Sequence, residues 1–242
     1  MSDNSHSLDF EQAWQGKLST SLDQIMDPKE RDRILEGGGT LTMESPTLDK
    51  VVWTCEMIDR MGELTTEESI HDIFTDCHCP YPSEDLLDVK MSYRLFGDID
   101  QAISMLQVKF EAFLREIIEL DETLVQKVVS SGWGLAGVRE GNRIIATKIP
   151  KSGYLVDYFD AEDPVEKRKL YCHCPRVRDA VGEDPQLPQT YCYCGAGFYK
   201  GIWEIILGEP VQVEVLESVM HGDDVCKIAI HLPASITINN NP

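Results

Sequence analysis

The hydrophobic periodicity of this chain changes once, near Gly132, and that change limits the architectures open to it. From Leu8 to about Ser131, apolar residues recur at intervals of three and four, the spacing that gives a helix one buried face. The clearest helix starts near Asp98, a natural N-cap, with Ile99, Ile103, Leu106, Phe110, Phe113, Leu114 and Ile117 on one face. Further helices are predicted for Phe10 to Met26, for Pro28 to Leu35, and for Leu48 to Met61, where Val51, Val52, Cys55 and Ile58 share a stripe. After Gly132, short β-prone runs alternate with turn residues through Phe159, with a hairpin turn at Glu140-Gly141-Asn142. Helices are then expected from Ala161 to Leu170 and from Gly195 to Leu207. Strands follow at Val211 to Ser218 and Asp224 to His231, around a turn at His221-Gly222-Asp223. The predicted class is α+β: a mostly helical region over 1–131, then a mixed region over 132–242 with helices packed on an antiparallel sheet.

A chain of 242 residues with 42% hydrophobic content can bury a sizeable core. Its 42 acidic against 22 basic residues give a net charge of -20, which repels phosphate backbones and anionic lipid, so neither nucleic acid nor membrane is expected as a partner. The N-terminal residues lack the pattern of a secretory signal, and no apolar run approaches the ~20 residues of a membrane span, so a cytoplasmic location is expected. In that reducing setting, eight cysteines read as thiols or metal ligands rather than as a disulfide framework.

Six of the eight fall into three Cys-x-Cys pairs, Cys77/Cys79, Cys172/Cys174 and Cys192/Cys194, while Cys55 and Cys226 stand alone. A spacing of two puts both sulfurs on one side of an extended chain, near enough to share a soft metal. Zinc is the first expectation, and an iron–sulfur cluster is the alternative for the same donors. Cys192 and Cys194 precede a predicted helix, whose N-terminal dipole favours a thiolate. The segment Cys77-His78-Cys79-Pro80 is echoed by Cys172-His173-Cys174-Pro175, which makes His78 and His173 second-choice ligands. Cys55, on an apolar helical stripe, is expected to be a packing residue.

Residues 191–233, YCYCGAGFYKGIWEIILGEPVQVEVLESVMHGDDVCKIAIHLP, resemble the C-terminal half of the 4-vinyl-reductase domain. The likeness runs through Cys194, the helical glycines Gly197 and Gly201, Leu207-Gly208, Glu214 and Glu217, Gly222-Asp223, and Cys226. It implies a pocket for a small hydrophobic ligand more than any one reaction, and sensor members of that family hold zinc through cysteines and a glutamate. Carried over, Cys194 or Cys192, Glu217 and Cys226 are the matching ligands. Ser218 stands where those sensors usually have another cysteine, and Cys172 or Cys174 could replace it. The blocks YCHCP and YCYCGAGF, with MDPKERDRILEGGG, are also similar to an uncharacterised bacterial family related in pattern to aminothiazoline-carboxylate hydrolases.

The expected function is a metal-binding protein, zinc first, that binds or senses a small molecule in a pocket for an apolar or aromatic ligand. Cys172, Cys174, Cys192, Cys194, Glu217 and Cys226 would hold the metal, with Phe198, Tyr199 and Trp203 beside the ligand and Trp133 as a further lining residue. The fold shared with pairing proteins allows a homodimer. The alternative is a metal- or cysteine-dependent hydrolase, with Glu204 or Glu217 as base, or with Cys192 as nucleophile and His173 as its base.

Overall fold

The computed structural model describes residues 9–237 and is α+β. The front comprises α1 (Phe10–Leu22), α2 (Pro28–Ile34), α3 (Thr47–Gly62), α4 (Glu67–Asp76), α5 (Leu87–Phe96), α6 (Ile99–Glu116) and α7 (Glu122–Ser130). Then come β1 (Val138–Glu140), β2 (Arg143–Thr147), α8 (Leu155–Asp160), α9 (Pro164–Tyr171), α10 (Tyr193–Leu207), β3 (Gln212–Glu217), β4 (Lys227–His231) and α11 (Ala234–Thr237). No helix among the described residues is long and apolar enough to cross a membrane.

Local chemistry sets most of these boundaries. Asp98 caps α6 by accepting from Gln101 N, as its position in the sequence requires. Asp27 and Glu30 form a reciprocal capping box on α2, with Pro28 at the first helical position. Gly208, at φ +73, closes α10 in the left-handed conformation that a side chain would resist. The α1 helix stops at Leu22, short of the predicted Met26.

Two helical faces differ from their predicted stripes. On α3 the buried residues are Lys50, Val51, Trp53, Thr54, Met57, Ile58 and Met61, while Val52 is exposed and Cys55 half-buried. On α6, Ala102 joins the buried row and Ile117 is exposed. The run read as β-prone through Phe159 ends at Thr147, because residues 155–160 are helical. Helical spacing lets Leu155 enter the core while Tyr158 and Phe159 pack edge-on and face-on against Trp133. Tertiary packing thus overrides the β preference of these aromatics.

The sheet is antiparallel, in the order β1-β2-β4-β3. A two-residue turn, Gly141-Asn142, joins β1 to β2, with Gly141 at φ +64. The last strand starts at Lys227, later than predicted, since a short 3-10 turn over Val219–His221 and the following loop occupy the connection. Between Val215 and Glu217 the β3–β4 register shifts, a bulge of the kind that re-aims side chains. Helix α10 lies against the sheet and also against α4 and α5, so the helical and mixed regions share one core. The approach to α4 is close: a Cβ on Gly197 would sit 2.0 Å from the Thr75 carbonyl oxygen.

A buried ion pair crosses the same boundary. Arg176 and Glu11 are both fully inaccessible and bonded through Nε and Oε2. Arg176 also donates to Thr54 Oγ1 at 2.7 Å and lies over the Trp14 ring at 4.4 Å. Charge pairing, hydrogen bonding and ring contact together compensate the desolvation of the guanidinium.

Candidate thiol-lined binding site

A cavity of about 430 Å³ opens between the helical front and the sheet. Seven of the eight cysteines line it: Cys77, Cys79, Cys172, Cys174, Cys192, Cys194 and Cys226. The eighth, Cys55, faces Gln186 O at 3.9 Å on another part of the molecule. Helix ends deliver most of the sulfurs. Cys77 is the C-terminal cap of α4 and Cys172 that of α9, so the two Cys-His-Cys segments leave their helices at equivalent points. Cys192 is the N-cap of α10 and Cys194 lies in its first turn. That helix begins two residues earlier than predicted, so the third pair straddles a helix start instead of lying along an extended chain.

Four of these thiols have a partner at hydrogen-bond distance. The Cys174 sulfur is 3.1 Å from Tyr191 Oη, and Cys192 Sγ is 3.1 Å from Ser218 Oγ. Ser218 is buried and also accepts from Met220 N. Cys194 Sγ donates to the Cys77 carbonyl at 3.4 Å, and Cys77 Sγ to Ile73 O at 3.3 Å. As they stand, no three His, Cys, Asp or Glu side chains among the described residues are arranged to hold a metal ion. A shared ion therefore requires the thiols to leave these hydrogen bonds and rotate inward.

Burial dominates the electrostatics. It pushes the Cys192 and Cys194 thiols up to about 12, and neighbouring sulfurs add to the effect: Cys226 and then Cys174 on Cys192, Cys174 and then Cys79 on Cys194. Burial likewise raises Cys172, next to Cys174, Cys226 and Cys192, and raises Cys226. The helix-end effect expected to favour a thiolate is thus outweighed in the metal-free protein. By mutual influence the sulfurs fall into two groups, Cys172, Cys192 and Cys226, and Cys77, Cys79 and Cys194, with Cys174 acting on both.

The histidines of the two echoed segments are held by backbone carbonyls. His173 Nε2 is 2.7 Å from Ile149 O, and His78 Nδ1 is 2.6 Å from Thr75 O. Burial, reinforced by Lys148, lowers His173 to about 3, so its ring is neutral near pH 7. With Nε2 donating, Nδ1 of His173 keeps its lone pair, the arrangement found in metal-binding histidines. His173 lines the cavity, whereas His78 packs against Gly201 on α10.

The other predicted residues divide. Glu217 lines the cavity but its carboxylate is paired with Lys227. Phe198 and Tyr199 line the cavity, with Tyr199 Oη donating to Gly134 O at 3.1 Å. Trp203 is fully buried in the core and does not reach the cavity, and Trp133 belongs to the cluster with Tyr158, Phe159 and Tyr171. Glu204 accepts from Val211 N at 3.2 Å and is not part of the cavity wall. No hydrogen bond links Cys192 to His173 among those of the described residues.

Sequence reasoning missed Lys148, Trp14 and Tyr191 as cavity residues. Lys148 follows β2, its backbone N–H donates to Cys226 O at 2.9 Å, and its ammonium stands 5.9 Å from the centre of the Phe198 ring. Trp14 comes from α1 and Tyr191 from the turn before α10. Only Tyr191, adjacent to the Cys192/Cys194 pair, had a sequence cue.

Residues 153–237, about a third of the chain, match a family of unknown function (DUF6144), a stretch that carries five of the cavity cysteines. No curated protein and no solved structure matches the chain.

Proposed function

We propose that the protein binds a soft metal through its cavity thiols and holds a small, largely apolar ligand in the space beside them. The observation that carries this reading is that seven thiols from four separate chain segments converge on one cavity, alongside Phe198, Phe110 and Phe113. Packing alone gives no reason to gather them, because a cysteine used as a small hydrophobe does as well anywhere in a core. The cavity volume falls within the range of small-molecule sites.

Cys172, Cys174, Cys192 and Cys226 would hold the metal, with Cys194 and the neutral His173 as further donors. Glu217 would first have to leave Lys227. Zinc suits an all-thiolate set as a closed structural ion, and an iron–sulfur cluster suits the same donors. The resemblance of residues 191–233 to the 4-vinyl-reductase domain, whose sensors pair zinc with a ligand pocket, supports the same reading. The hydrolytic alternative draws less support, since Glu204 is engaged elsewhere and Cys192 bonds to Ser218 rather than to a base.

Elemental analysis and absorption spectroscopy of protein purified without air test the reading. Colourless protein with about one zinc per chain supports it, and a brown chromophore supports its iron–sulfur form. Protein that carries no metal and takes up neither zinc nor iron refutes it.

A further inference from the structure

The charge of the cavity wall is opposite to that of the molecule. The chain carries -20, yet the charged side chains lining the cavity are Lys109, Lys148, Lys151 and a single carboxylate, Glu217. Glu217 is neutralised by Lys227, and Lys109 is paired with Asp88 at 3.1 Å. Lys148 and Lys151 differ, since among the described residues neither ammonium has a carboxylate within ion-pair distance, and of the two it is Lys148 that stands 5.9 Å from the Phe198 ring centre. It points to the first turn of α10, where its Nζ would lie 3.5 Å from a Cβ on Gly195.

A second donor faces the same spot. Trp14 is 4% exposed and lines the cavity, and its indole N–H has no oxygen or nitrogen acceptor, facing instead the Cys194 sulfur, a weak one. The Trp14 and Lys148 side chains both neighbour Cys194, so a weakly paired N–H and an ammonium without a carboxylate converge at one place in a largely apolar cavity. A buried donor held only by a sulfur gains from a stronger acceptor, and an anion seated there would supply one. The start of a 15-residue helix adds a favourable dipole at that place.

We infer that the cavity's ligand is a small organic anion, an apolar or aromatic body bearing one acidic group, with the acid on Lys148 and the Trp14 N–H and the body against Phe198. This deepens the proposed function and rests on the cavity being a ligand site. An acid is chosen over a neutral compound of the same shape because only the acid replaces water around both donors with a charge-assisted contact.

Binding of three compounds with one body, 2-naphthoate, 2-naphthalenemethanol and 2-naphthylmethylamine, is measured by calorimetry on the full chain of known metal content. The naphthoate is expected to bind about tenfold or more tightly than the alcohol, and the amine least well. Lys148→Met should bring the acid down to the level of the alcohol, with the alcohol's affinity and the metal content unchanged. Lys148→Arg should restore most of the preference and so excludes misfolding as the cause. Equal binding of acid and alcohol, or an unchanged preference in Lys148→Met, overturns the anion inference and leaves the pocket standing. Loss of metal in Lys148→Met also overturns it, because the lysine then serves the thiolates. Absence of binding by all three compounds removes the pocket reading and the inference with it.

Discussion

Replacing Arg176 by Met should cost the protein about 3–5 kcal/mol, because it strands a carboxylate that has no access to water. Glu11 is 0% exposed, and once the guanidinium is gone its remaining partner is the Gln15 amide at 2.9 Å. The substitution keeps most of the aliphatic bulk, so cavity formation adds little. Glu11→Gln should be milder. Arg176 would still donate to Thr54 Oγ1 at 2.7 Å and Lys50 O at 3.4 Å and keep the Trp14, Trp53 and Tyr191 rings at 4.4, 5.5 and 5.8 Å. The double variant Glu11→Leu/Arg176→Met removes both charges and should recover at least half of the loss, a coupling of about 2 kcal/mol or more. Urea unfolding of the four proteins measures these differences, and at a slope of about 3 kcal/mol per molar a loss of this size moves the midpoint by about 1–1.7 M. If Arg176→Met falls within about 1 kcal/mol of the parent, or if the two single losses simply add, the reasoning about the buried pair is wrong.

Gly197→Ala places a methyl group 2.0 Å from the Thr75 carbonyl oxygen, and both partners are backbone, so α10 and α4 must separate. The expected loss is about 1–3 kcal/mol by thermal or urea unfolding, and an unaffected variant would show that the helices are not in this contact. Metal-free protein should lose stability as pH rises from the ordinary thiol value of 9.0 toward about 12. Over that interval the unfolded chain has released the protons of Cys192 and Cys194 while the folded chain retains them. A flat alkaline stability profile would contradict this. Because those thiols are protonated at pH 7.5, adding zinc should release about one proton per thiolate ligand, about four for an all-cysteine site. Calorimetry in buffers of different ionisation enthalpy counts them, and release of fewer than one would exclude thiolate ligation.

The parts of the fold that were legible in the sequence are those with local causes. Asp98 before an apolar stripe, Leu207-Gly208 after one, and a glycine turn between β-prone runs each act within a few residues. That Cys172, Cys174, Cys192, Cys194 and Cys226 share one cavity was expected from repeated spacing and, for Cys226, from the resemblance alone, although Cys192 and Cys194 straddle a helix start and not the extended chain the spacing suggested. Membership of Cys77 and Cys79 was not, since it depends on α4 packing against α10 across 117 residues of chain. The two faces of α10 were equally opaque: apolar residues surround the helix, so nothing local says that Phe198 and Tyr199 face the cavity while Trp203 faces the core. Arg176 and Glu11 are single charges in unremarkable surroundings, and only the assembled core makes them partners.

The bond from Cys194 to the Cys77 carbonyl has a consequence for the order of events during folding. Its ends lie 117 residues apart, so this wall of the cavity closes only after most of the chain has found its place. An ion meeting the chain before that moment would find the cysteines of residues 172–226 still apart from those of the front. Capture from a partly folded chain and loading of the finished protein would then begin from different donor sets, and a chain cut between the two regions would retain only the later one.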